Sequence, residues 1–162
     1  MAQSAEPTVD FAVVAYREEG SWQAVALPPK AAGDLDVLLH ALRQWPGDSG
    51  SLGMVCVDED FFVLTRVRGA DVSLLLSDIT AAGDWPRARG VVDRLGLPAP
   101  SDDDEPQPAG DMGMLADLGF DAMALAALLD DSDLYPDEML ADIALRIGFG
   151  GQFELAVDTA VD

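Results

Sequence analysis

Histidine and cysteine occur once each in this chain of 162 residues, and lysine and arginine together only nine times. The single cysteine, Cys56, excludes an intrachain disulfide, and a lone thiol suits a reducing, cytoplasmic compartment. One cysteine and one histidine also leave no ligand set for a zinc site built from those two residue types. His40, the one histidine available as a base for a serine nucleophile, sits mid-helix between Leu39 and Ala41 in a leucine-rich stretch. The scarcity of bases argues against nucleic acid, whose phosphates are bound mainly by Lys and Arg displacing counterions. Nine bases against 30 acids give a formal charge of −21, so no direct contact with DNA or RNA is expected. Apolar runs long enough to cross a bilayer, roughly 18 residues, are absent, so no membrane partner is expected. The opening MAQSAEPTVD has neither the basic patch nor the apolar stretch of a signal peptide.

Catalytic and ligand-binding signatures are missing as well. Gly-rich GDSGSLG (47–53) lacks the GK[ST] ending of a phosphate-binding loop and precedes a strand instead of following one into a helix. SDDDEP and DDSDLYPDE are rich in carboxylates, but neither has the alternating spacing and closing Glu of a calcium loop. Ser77–Asp78, in LLLSDITAA, stands where an apolar strand gives way to a helix-like stretch. Its neighbours lack the glycines of a nucleophile elbow. A serine or aspartate at such a junction ordinarily accepts a backbone N–H from the following turn, worth about 1 kcal/mol. Capping is therefore the reading adopted for the pair. Cys56 lies inside a strand and reads as a small buried hydrophobe, and His40, one position beyond the Leu stripe, as a rim or surface residue. No catalytic residue, cofactor or metal site is expected.

What is present is a chain rich enough in apolar residues, at 49%, to build a packed core. Residues 1–8 read as a flexible tail. VDFAVVAY (9–16) and SWQAVAL (21–27), joined by REEG, form a hairpin with Gly20 at the turn. DLDVLLHALRQW (34–45) places Leu35, Leu38, Leu39 and Leu42 on one helical face, with Pro46–Gly47 as the stop. LGMVCV, FFVLTRV and VSLLL make an antiparallel meander, and PRARGVVDRLGL (86–97) a second helix. The fold class is therefore α+β: a five-stranded antiparallel sheet in β-β-α-β-β-β-α order over residues 9–97, with both helices on one face. By analogy, that order matches the longin and roadblock domains, which serve as dimerisation and docking platforms. PAPSDDDEPQPAG (98–110), acidic and proline-rich, reads as a linker. Residues 111–162 read as a small all-helical subdomain: a short helix over 111–119, a second opened by Asp121 as N-cap, and a third from Pro136 to a Gly148 stop with Phe149 packing back.

Charge is distributed unevenly. Residues 95–162 hold 16 of the acids against Arg146 alone, a net −15. Such a field suits a basic protein partner and would steer the encounter. The tryptophans are most simply core residues, although Trp is also enriched at binding hot spots. Trp85, in the loop-like AAGDWPRARG, is the one best placed to meet a partner. Partner contact is expected from Trp85 and Arg87 on that segment and from Asp130, Asp131 and Asp133 in the acidic turn between the last two predicted helices.

Taken in order, DFAVVAYREEGSW, DLDVLLHALRQW, FFVLTRVRGADVSLLLSDITAA, the acidic linker, GDMGMLADLGFDAMALAALL and YPDEMLADIALRIGF resemble the actinobacterial family of tRNA adenosine deaminase-associated proteins. The resemblance covers nearly the whole chain. It implies a gene neighbouring that of the enzyme that converts adenosine to inosine in tRNA, and it brings no catalytic residues with it. The deaminase's own H-x-E and P-C-x-x-C zinc signature is absent, so this chain is not the deaminase. The expected function is that of a non-catalytic, acidic accessory protein in the cytoplasm, with tRNA adenosine deaminase as partner. The alternative is a self-associating longin- or roadblock-like platform, a homodimer serving a GTPase or signalling complex.

Overall fold

Alternating side chains in VDFAVVAYRE build the first strand, β1 (Val9–Glu18), and a two-residue turn returns the chain as β2 (Ser21–Ala26). Glu19 and Gly20, the two turn residues, have φ of 54° and 82°. Positive φ at both centres is what a tight hairpin needs to match the strands' twist. The computed structural model describes residues 9–27, 35–44, 50–57, 61–68, 71–80, 86–96, 107–131 and 133–161. Helix α1 spans Leu35–Leu42, and the meander follows as β3 (Ser51–Val57), β4 (Phe61–Arg68) and β5 (Asp71–Leu76), then α2 (Pro86–Leu95). These elements agree in kind and order with the sequence reading. Predicted segments at 1–8 and 98–106 lie outside the described residues, as do Trp45 and Trp85.

The sheet has six strands and not five, in the order β2-β1-β3-β4-β5-β6, with every pairing antiparallel. The sixth, β6, is only Ala109–Gly110, at the end of the stretch read as linker. Gln107 O accepts from Ile79 N at 2.8 Å, and Leu74 O accepts from Asp111 N at 2.8 Å, so the backbone runs along β5 on both sides of β6. Only glycine fits at 110. Its φ is 132°, and a Cβ there would lie 2.2 Å from Leu74 O. A two-residue strand in a proline-rich segment has no alternation to betray it, which is why the sequence pattern hides it.

Strand periodicity sorts the core into two faces. Ala12, Val14, Val55, Val63, Val67, Leu74 and Leu76 point toward α1 and α2, where Leu38, Leu39, Leu42, Val91 and Val92 meet them. Phe11, Val13, Met54, Cys56, Phe62, Leu64 and Leu75 point the other way, into a layer built by the C-terminal third. That layer holds a single 3₁₀ turn (Ala116–Leu118), α3 (Ala122–Leu129), α4 (Pro136–Ile147) and α5 (Gly150–Val161). Helices therefore cover both faces, and β3 is buried at every position. The C-terminal helices share a core with the sheet.

Local chemistry fixes that layer. Asp121 caps α3 by accepting from Ala124 N at 2.9 Å. Pro136 opens α4, where Glu138 Oε1 accepts from Tyr135 N at 3.0 Å. Gly148 ends it at φ 119°, and Phe149 turns back, fully buried, against Trp22 at a ring separation of 4.9 Å. The N-cap, proline start and glycine stop are where the sequence placed them. The 111–119 segment is one 3₁₀ turn and not a regular helix, ended by Gly119 at φ 97°. The chain does not stop at Phe149. Helix α5 follows at once and lies over β1 and β2, with Phe153 edge-on to Phe11 at 5.8 Å.

Candidate docking surface

Ser77 and Asp78 close β5 and face a cleft of about 590 Å³. One side-chain oxygen of each is engaged locally. Ser77 Oγ accepts from Phe62 N at 2.9 Å, extending the β4–β5 ladder by one residue. Asp78 Oδ1 accepts from Thr80 N at 2.9 Å and from Thr80 Oγ1 at 2.6 Å. Asp78 thus caps the turn at 79–80 that follows it, as expected, and Ser77 prolongs the strand pairing. His40 is on α1, exposed and on the opposite face of the sheet.

The far wall of the cleft comes from the junction of α3 and α4: Leu129, Asp130, Leu134 and Met139. Gln107 and Pro108, carried there by the run along β5, complete it. Asp130, Asp131 and Asp133 are all exposed. Asp131 Oδ1 accepts from Asp133 N at 3.0 Å, which turns the acidic loop tightly into α4. Arg87 falls in the first turn of α2, which packs on the other face of the sheet. The residues singled out as partner contacts thus do not share one layer. Trp22 is half-buried and packs against the core: its ring lies on Phe149, with the Arg17 guanidinium 5.6 Å from its centroid. Cys56 is buried, its Sγ 3.6 Å from Asp10 Oδ2.

One charged constellation escaped the sequence reading. Arg66 sits in the middle of β4 at 2% exposure, its side chain on the face covered by the C-terminal layer. Its guanidinium grips both oxygens of Asp117, at 2.8 Å from Nη2 to Oδ2, and donates to Met114 O at 2.7 Å. Arg68 stands 3.6 Å from the same carboxylate. The hydrogen bonds from Arg66 hold the Asp117 carboxyl below its ordinary 3.8, against a desolvation that acts to raise it. This fork-on-fork geometry fixes the 111–119 turn to the sheet. A lone arginine inside FFVLTRV was the available signal, because a charge within an apolar strand demands a partner.

Carboxylates dominate the outer face of the C-terminal layer, and Arg146 is the only lysine or arginine beyond residue 94. It is engaged with Asp142, Nε to Oδ2 at 2.9 Å. Among the described residues no group of three His, Cys, Asp or Glu converges as metal ligands, and no helix is long and apolar enough to cross a membrane. Exposed large apolar side chains gather on the same layer: Met123, Tyr135, Leu145 and Leu155, with only Val37 elsewhere among the described residues.

Comparison with known proteins decides the family. Residues 10–150 match the model of the Rv3753c-like tRNA adenosine deaminase-associated proteins. The chain belongs to this family. It is 38% identical to Protein Rv3753c of Mycobacterium tuberculosis over 98% of its own length and 94% of that protein's. No solved structure matches, so the analogy with longin and roadblock domains rests on element order alone.

Proposed function

We propose that this member of the deaminase-associated family is a non-catalytic, cytoplasmic accessory protein that docks on tRNA adenosine deaminase through its C-terminal helical layer. The observation that carries the reading is charge placement. A layer with a single base, folded onto the sheet and not trailing from it, presents a fixed negative surface to a partner whose substrate is an anionic RNA. A protein that handles tRNA needs basic patches, and a rigid acidic face competes for them with the phosphates. The engaged state of Ser77 and Asp78, and a histidine on the other face of the sheet, favour docking over chemistry.

The test is co-purification of the two proteins at about 50 mM salt, where charges are screened least, with inosine formation in tRNA measured alongside. Binding that weakens as salt rises, with a change in deamination rate, is expected. No association at low salt and no effect on inosine would refute the proposal. The element order β1-β2-α1-β3-β4-β5-α2 keeps the self-associating platform as the second reading. A salt-insensitive homodimer that ignores the deaminase would favour it.

A further inference from the structure

Helices α4 and α5 meet at a corner, and the outer side of that corner is hollow. A groove of about 540 Å³ runs between them, with Leu145 and Ala141 on one wall and Gly150 and Gly151 on the other. A second hollow of about 340 Å³ continues it over Val157 and shares Ala141 and Glu154. The groove is bare for a sequence reason. A Cβ on Gly150 would crowd Leu145 Cα at 3.1 Å, whereas a Cβ on Gly151 would meet nothing within 4 Å. Leu145 is left 69% exposed. Around this apolar strip stand Glu138, Asp142 and Glu154, and further along Asp137 and Asp158. Five carboxylates rim the groove, and Arg146, bonded to Asp142, is the only base on either helix.

We propose that this groove is the docking site for a cationic amphipathic helix of a partner protein. The inference rests on the accessory reading for the existence of a partner, and adds the surface used and the segment it receives. An apolar strip between two helices accepts a third helix, whose own apolar stripe fills the space over Leu145 and Gly151. On α4 the lining runs from Asp137 to Leu145, about 12 Å at about 1.5 Å per residue, so about two turns of the occupant lie in the groove. Lysines and arginines flanking its stripe face the rim carboxylates. A second copy of this chain is a poor occupant, because two molecules each carrying −21 repel one another at such a contact.

The probe is a labelled synthetic helix of roughly three turns, with Leu at i, i+3, i+4 and i+7 and Lys or Arg elsewhere, set against a scrambled peptide of identical composition. Binding to the full chain is followed by fluorescence anisotropy at two salt concentrations. The amphipathic peptide is expected to bind at least tenfold tighter than the scrambled one, and more weakly at the higher salt. Gly151→Phe plugs the groove and is expected to weaken the peptide at least tenfold, with Gly151→Ala close to wild type. Leu145→Lys, at an exposed position, is the second variant if Gly151→Phe does not fold, and has the same expected effect. Equal affinity for both peptides, or affinity indifferent to these substitutions, overturns the proposal. A concentration-dependent dimer dissolved by Leu145→Lys also overturns it, since a second copy would then be the occupant. Deaminase that binds wild type and Gly151→Phe equally removes the groove and spares the accessory function. Peptide capture in the groove with no deaminase binding does the reverse.

Discussion

Replacing Asp117 by Asn tests how the C-terminal layer is held. In the folded protein Arg66 is 2% exposed and its guanidinium is held by the Asp117 carboxylate and by Met114 O. Removing the partner of a fully buried ion pair costs about 3–5 kcal/mol. Asp117, however, is 46% exposed, so water reaches its outer side and screens the pair, and Met114 O still accepts from Arg66. The expected loss is about 1–2 kcal/mol, the range of a partly solvated hydrogen bond to a charged group. With a urea m-value of about 2 kcal/mol/M, the unfolding midpoint falls by roughly 0.5–1 M. Arg66→Met is expected to cost a similar amount. The double variant should cost clearly less than the two singles together, because each single change already breaks the same tie. The pH dependence has a definite sign. A carboxyl held below its ordinary 3.8 in the folded state binds its proton more readily when unfolded, so its contribution is present above that value and fades as pH falls through the depressed one. Wild type should therefore lose this increment only below about pH 4, and Asp117→Asn should lack it at every pH. Urea unfolding by circular dichroism, at neutral pH and at pH 3, checks both points. Midpoints that coincide at neutral pH, or singles that add in the double, would refute the assignment.

Gly110→Ala puts a Cβ 2.2 Å from Leu74 O at φ 132°. A loss of at least about 1–3 kcal/mol is expected from backbone strain alone, read as a lower melting temperature with faster hydrogen exchange at Asp111 and Ile79. Asp121→Ala removes the cap accepted from Ala124 N and should cost about 1 kcal/mol by the same unfolding assay, with peptide binding in the α4–α5 groove unchanged.

Much of this fold was legible because its signals are local. The hairpin turn, the Leu38–Leu39–Leu42 stripe, the Asp121 cap and the Gly148 stop each act within about one turn or one strand of the residues that encode them. What escaped depends on distant parts of the chain. Nothing in AG at 109–110 says that it will lie along Leu75–Leu76, and Arg66 meets its partner 51 positions away. The face on which the C-terminal helices settle is likewise chosen by Phe62, Leu64 and Met54, not by the helices' own pattern. The pair Ser77–Asp78 was legible in kind, since both side chains bond backbone and Asp78 serves the turn that follows it, but the use of Ser77 to lengthen the β4–β5 ladder was not. Of the docking surface, the charge and the acidic turn were visible in composition. The groove was not, because it is made by the close approach of Gly150 to Leu145.

The burial of both faces of the sheet sets a condition on synthesis. The first 96 residues supply the strands from β1 to β5 and the helices for one side only, leaving a slab of Phe11, Val13, Met54, Phe62 and Leu64 wet until the rest of the chain emerges from the ribosome. Such exposure invites aggregation. The strongly acidic stretch that emerges next, SDDDE at 101–105, is well suited to keeping neighbouring nascent chains apart during that interval. A clone ending before α3 should therefore be recovered from inclusion bodies, not as a free-standing sheet.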